Sequence, residues 1–202
     1  MFSLAKSTVF FVAALSASTL AAPLMPQSAT VCGDLAGLST KVGEILGPLL
    51  TDPTSLNETV VAGISADLGR TVDDTLDDIS SVNGLTLGGT TDDVAGLVAQ
   101  IVQTTCTALQ GLQGANAQLG AGTKNLLAKT DVTLAKLSQG VDAIVSAVLS
   151  PPAQTSGSAP ALPPAKSGCS YTDALAELLN TSGTADLLRR LGLNLTMQSS
   201  GL

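Results

Sequence analysis

Apolar residues recur three and four positions apart along four long stretches, and each stretch is bounded by turn or capping signals. Val31, Leu35, Leu38, Val42, Ile45 and Leu49 set the first, which the spacing predicts as a helix ending near Leu50, before Thr51-Asp52-Pro53. Gly33, Gly37, Gly43 and Gly47 weaken this helix by about 1 kcal/mol each relative to alanine, and they also offer close approach to a partner. Ser55 to Glu58 has the form of a capping box. It opens a second helix with Val60, Ile64, Leu68, Val72, Leu76, Ile79 and Val82 on a broad apolar face. Asn83-Gly84 ends it, and Leu85 to Gly89 connects onward. Thr90 to Asp93 caps a third helix, whose arc is Val94, Leu97, Val98, Ile101, Val102, Thr105, Leu109 and Leu112, with Cys106 at its edge. Gly111 to Gly122 reads as a loop. The fourth helix, Thr123 to Ser150, has the longest unbroken period: Leu127, Thr130, Leu134, Leu137, Val141, Ile144 and Val148.

These elements predict an all-α protein, an antiparallel bundle of about four helices over residues 22–150. Pro151-Pro152 forbids a further turn. Residues 151–168 are rich in Pro, Ser and Ala and read as an extended linker. Residues 169–202 then form a short helical C-terminal segment, with amphipathic helices over Ser170–Leu179 and Thr184–Leu191, the second closed by Gly192.

Residues 1–21 have the pattern of a secretory signal peptide. Lys6 supplies the charge, Val9 to Leu15 the apolar run, and Thr19 and Ala21 the small residues before a cut after Ala21. No other stretch reads as a transmembrane helix, and the C-terminus has no apolar tail for a lipid anchor. The mature chain is therefore expected outside the cell or in the wall. Three sequons support that compartment, at Asn57, Asn180 and Asn194.

Composition removes whole classes of chemistry. The chain has no His, which excludes His-dependent triads and His–metal sites. Its net charge of −7 makes it a poor nucleic-acid binder, since neutralising phosphates needs clustered Lys and Arg. There is no Trp, one Tyr, and all three Phe lie in the leader, so the core is aliphatic. No acid–base pair or nucleophile with a partner base is identifiable, so neither enzyme activity nor a cofactor is expected.

The second helix carries Asp67, Asp73, Asp74, Asp77 and Asp78 opposite its apolar face. Their helical spacing differs from a calcium-binding loop and reads as a solvated face, which Lys124, Lys129 and Lys136 of the fourth helix are placed to meet. Arg189-Arg190 reads as a dibasic processing site or as the charged last turn of a short helix. Three cysteines leave at least one without an intramolecular partner. In an up-down-up-down bundle Cys32 and Cys169 fall at the same end, which favours a Cys32–Cys169 disulfide with Cys106 semi-buried and free. Cys32–Cys106 is the alternative pairing, and a disulfide-linked dimer through an odd cysteine is a third.

The leader ending in Ala21-Ala22-Pro23, the Ala/Thr/Leu/Val-rich helices between Val31 and Ser150, and the lack of His and Trp resemble the fungal hydrophobic-surface-binding and cell-wall galactomannoprotein family. The resemblance covers about two-thirds of the chain. It implies a secreted helical glycoprotein without catalysis of its own, whose partners are hydrophobic surfaces, cell-wall components or lipid. Two other readings stay open: a carrier of a small apolar ligand, and a secreted effector that binds a host protein.

Overall fold

A computed structural model describes residues 30–52, 56–82, 84–115, 120–150 and 170–202. The expected signal peptide, the expected linker over 151–168, Cys169 and Ser55 lie outside the described residues. Among the described residues the fold is all-helical: four long helices, α1 (Val31–Thr51), α2 (Glu58–Ser81), α3 (Thr91–Ala115) and α4 (Gly120–Leu149), and three short ones, α5 (Tyr171–Thr181), α6 (Thr184–Leu191) and α7 (Asn194–Ser199). The one β-type pairing is an isolated parallel bridge between Thr30 and Thr86.

The helix stripes are close to those expected, with local shifts. In α1 the buried residue of the penultimate turn is Leu46, and Ile45 is only partly covered. In α2 Val61 is buried where Val60 was expected; Val60 is 40% exposed. Both shifts move the stripe by one residue, within the width of an apolar face. The α2 N-cap is Asn57, whose Oδ1 accepts from the Val60 amide at 3.0 Å, rather than Ser55. The expected loop over Gly111–Gly122 shrinks, because α3 runs on to Ala115 and α4 begins at Gly120. Gly111 and Gly122 sit inside the two helices, neither at positive φ, so each helix runs on past the glycine that was expected to end it.

The glycines of α1 do not bring a partner close. A Cβ built at Gly37, Gly43 or Gly47 meets nothing within 4 Å, whereas one at Gly33 would lie 2.9 Å from the Thr30 Oγ1 that caps the helix. Replacing Gly37, Gly43 or Gly47 by alanine should therefore raise stability by about 1 kcal/mol each. Urea unfolding of the three single variants checks this, with Gly33→Ala as the control that gains nothing.

The order of helices around the core differs from a simple up-down circuit. α1 packs on α3 and α2, α4 packs on α2, and the consecutive helices α2 and α3 share little contact. α1 and α3 run parallel: Cys32 lies beside Gly89 and Asp93 at one end, and Leu49 beside Gly111 at the other. The 82–90 connection fixes this order. It crosses the N-terminus of α1, where the Val31 and Cys32 amides donate to the Thr86 and Leu87 carbonyls at 3.1 and 3.0 Å. Two otherwise orphaned helix N–H groups are satisfied this way. Gly88, at φ +69°, lets the backbone pass Thr30, where a Cβ would fall 2.5 Å from the Thr30 Cβ.

The C-terminal segment belongs to the same hydrophobic core. α5 and α6 pack on α3, α7 packs on α4, and Tyr171, Leu175, Leu179, Leu188, Leu191 and Leu193 join one cluster with the long helices. α3 is therefore the central element, covered by α1 on one side and by α5 and α6 on another. Its buried set includes Ala95, Thr105, Cys106 and Ala108, a wider arc than one face requires. α4, although long and apolar enough by length and composition to cross a membrane, packs against α2, α3 and α7. This corrects the expectation that no helix beyond the leader would pass that test. About a third of that apolar stretch is buried in the fold, with Thr130, Asp131 and Ser138 among its buried residues, while Lys129 and Lys136 are exposed.

Candidate functional site

Asp131, on α4, is the most elaborately held polar side chain among the described residues. It is 8% exposed. One carboxylate oxygen accepts from the Leu195 amide at 3.1 Å, and the other accepts from the Thr196 amide and hydroxyl, both at 2.8 Å. The Thr196 hydroxyl also approaches the Asp131 carbonyl at 3.2 Å. α7 has no side-chain cap of its own. A carboxylate from a distant helix thus does the work of an N-cap, meeting orphan amides and the positive end of the helix dipole. One turn pair further along α4, Ser138 Oγ lies 3.5 Å from Ser200 Oγ, so the α4–α7 seam is polar at two levels. Neither Asp131 nor α7 was apparent from sequence. Asp131 sits one residue off the apolar stripe, and Asn194-Leu195-Thr196 reads as a sequon before it reads as a helix start.

The sequon asparagines are all exposed. Asn57 caps α2 through Oδ1, which leaves Nδ2, the atom a glycan takes, pointing away from the helix amide. Asn180 ends α5, and Asn194 begins α7. Thr196, the hydroxyl residue of the third sequon, is fully buried on Asp131.

Cys106 is fully buried in α3 rather than at its edge, and burial pushes its thiol up to about 12. It stays protonated and unreactive at neutral pH. Cys32 is half-buried, with its thiol raised first by burial and then by the nearby Asp93. Among the described residues neither is in a disulfide. Cys32 sits level with the start of α3, and Cys106 lies about 20 Å further along that helix, beyond disulfide reach. The alternative Cys32–Cys106 pairing is thereby excluded. The Cys32–Cys169 pairing turns on a residue outside the described ones.

Asp93 closes a capping box with Thr90: the Thr90 amide and hydroxyl each donate to its carboxylate at 2.8 Å, and the Asp93 amide donates to Thr90 Oγ1 at 3.1 Å. The backbone hydrogen bond, then the hydroxyl, hold its carboxyl below the usual carboxylate value. A depressed folded value means the cap contributes stability above the unfolded carboxylate pKa, and the contribution is lost as pH falls through the folded value. Urea unfolding of the wild type and Asp93→Asn should differ at neutral pH and converge in strong acid.

The acidic face of α2 meets α4 as its charge pattern predicts. Lys136 Nζ donates to Asp73 at 2.7 Å, and Arg70 is held by Asp67 on its own helix. These pairs are exposed and worth little individually. Among the described residues no group of three or more His, Cys, Asp or Glu is arranged to hold a metal ion. Arg189-Arg190 occupies the last turn of α6, where Arg189 donates to Asp186 at 3.0 Å. Two cavities open along the α2–α4 seam, and Ser65 and Lys129 line both. The Ser65 and Thr130 hydroxyls are buried without a hydrogen-bond partner. So is the Tyr171 hydroxyl, which burial and then Asp142 push far above the usual phenol value. Comparison with models of known protein families, with curated proteins and with solved structures finds no match to this chain.

Proposed function

We propose that this chain is a secreted, non-enzymatic glycoprotein of the cell wall or of hydrophobic surfaces. On this reading it is a bundle of about four helices with a short helical segment tethered behind the Pro-rich stretch. The secretory pattern of residues 1–21 and the exposure of all three sequon asparagines support the compartment. The reading also supplies a way to adsorb. In the closed molecule the exposed large apolar side chains, among them Leu50, Val60, Val132 and Leu195, are scattered over separate elements. Such isolated residues do not make an adhesive patch. The apolar surface of this chain is its helix faces, and they become available only if the molecule opens.

The observation that carries the proposal is the attachment of α5–α7 to α3 and α4. It combines an aliphatic contact with the polar Asp131–α7 and Ser138–Ser200 seam, and residues 151–169 separate the segment from α4 along the chain. Departure of that segment would bare aliphatic surface on α3 and α4 together. The test is retention on octyl-coated beads of the secreted protein and of a Ser138→Cys/Ser200→Cys variant, whose side chains lie within disulfide reach. The oxidised variant should wash through and should bind once reduced, while the wild type binds in both conditions. Equal binding by the locked form would sink the opening mechanism, and a wild type that never adsorbs would sink the function.

A further inference from the structure

We infer that N-glycosylation of Asn194 competes with folding for one hydroxyl, that of Thr196, so that a glycan enters there only before α7 docks on α4. The inference rests on the reading of this chain as secreted, since that route brings it to the glycan-transferring enzyme. Transfer forms a bond from the asparagine Nδ2 to the first carbon of an oligosaccharide. The bond from that carbon to a lipid diphosphate breaks, Nδ2 gives up one proton, and the lipid diphosphate leaves. The enzyme selects its acceptor by the Ser or Thr hydroxyl two residues on, and it needs that hydroxyl free on an extended segment. Asn194 and Thr196 meet these needs unequally. Asn194 is exposed, so a glycan already in place stays outside the folded molecule. Thr196 is fully buried, and its hydroxyl and its amide both donate to one Asp131 carboxylate oxygen at 2.8 Å.

The other two sequons give the contrast within one chain. Their hydroxyl residues, Thr59 and Ser182, are exposed. The Ser182 hydroxyl meets only its near neighbours, the Thr184 hydroxyl at 2.8 Å and the Leu179 carbonyl at 3.2 Å. The Thr196 hydroxyl instead closes a contact between residues 65 apart in the chain. Nor is it freed by a small local movement. The Leu195 amide donates to the same carboxylate at 3.1 Å, and Leu193 and Ser200 on either side are buried, so exposing Thr196 means lifting α7 as a whole. Asp131 is synthesised before Thr196, so the acceptor that sequesters the hydroxyl already exists when the sequon appears. Timing therefore decides the outcome. Transfer before docking leaves Asn194 modified, and docking before transfer leaves it bare.

The test supplies the enzyme directly. The full mature chain, made in bacteria without glycans and folded, is mixed with solubilised oligosaccharyltransferase and a lipid diphosphate oligosaccharide. Mass spectrometry follows each asparagine. Asp131→Ala should speed modification of Asn194 at least about tenfold, because a reaction through local opening follows the population of the open form. Asn57, on α2, should keep its rate in the same molecules and so separate undocking of α7 from general unfolding. Oxidised Ser138→Cys/Ser200→Cys, which pins α7 to α4, should be modified at Asn194 more slowly than the same variant reduced. A peptide of residues 190–200 should be modified readily, since nothing in it covers Thr196. No gain at Asn194 in Asp131→Ala overturns the inference, as does an equal gain at Asn57 or a lock without effect. An unmodified peptide overturns the site itself. Retention of the chain inside the cell would sink the secretion reading and leave this assay unaltered.

Discussion

Replacing Asp131 by alanine should lower stability by about 3 kcal/mol and loosen the C-terminal helices before the rest of the molecule. The carboxylate accepts two backbone amides and a hydroxyl from α7, all in a region that is nearly closed to water. Alanine leaves those donors without acceptors and leaves α7 with no cap, since Leu193 provides no side-chain substitute. Charged hydrogen bonds of this kind contribute about 1.5–3 kcal/mol each when measured singly, and they do not add when they share one group. Asp131→Asn keeps the shape and one accepting oxygen, so it should cost less. Hydrogen exchange resolves the pattern. Protection should fall first in α7, then across α5 and α6, with α1 and α2 holding longest. Uniform loss of protection would mean that the seam is not a separate unit of opening.

Leu109→Ala should cost about 3 kcal/mol, within the range for emptying a leucine site in a close-packed core. Leu109 is 1% exposed on α3, the helix shared by α1 on one side and the C-terminal segment on another. A cavity there weakens both contacts together. Calorimetry of the wild type and the variant should each show one transition, shifted down in the variant, because the C-terminal helices have no core apart from α3 and α4. Two separated transitions would mean that the C-terminal segment from residue 170 on folds on its own. Leu195→Ala gives the contrast: that side chain is 47% exposed and should cost little.

The helices were legible because each carries its own evidence. A 3.6-residue period, a cap and a stop are local signals, and the Thr90–Asp93 box and the middle of the α4 stripe, Thr130 to Ile144, appear in the structure at the expected places, with Leu126 buried in place of Leu127. The acid–lysine match of α2 with α4 was also readable, because it needs only two adjacent charged faces, and Lys136–Asp73 realises it. What escaped was held by partners far apart in sequence. Asp131 looked like a polar residue beside a stripe, since its value lies in amides more than sixty residues away. α7 is six residues long, too short to show a period, and it forms only because α4 caps it. Cys106 looked like an edge residue because the sequence shows one arc, while α5 and α6 cover a second face of α3.

By itself the sequence determined that this chain is helical, where its four long helices lie, that its core is aliphatic, and that His-based chemistry is unavailable to it. These follow from periodicity and composition, which are properties of neighbouring residues. The tertiary structure alone decided that α1 packs directly on α3 and α2 directly on α4, and that the C-terminal helices share the core. It also decided that a buried aspartate ties the last helix to the fourth. Those outcomes depend on the diagonal 82–90 connection pinned to the first turn of α1, and on satisfying buried amides across the fold. Such pairings are chosen by geometry between distant segments, and no local pattern encodes them.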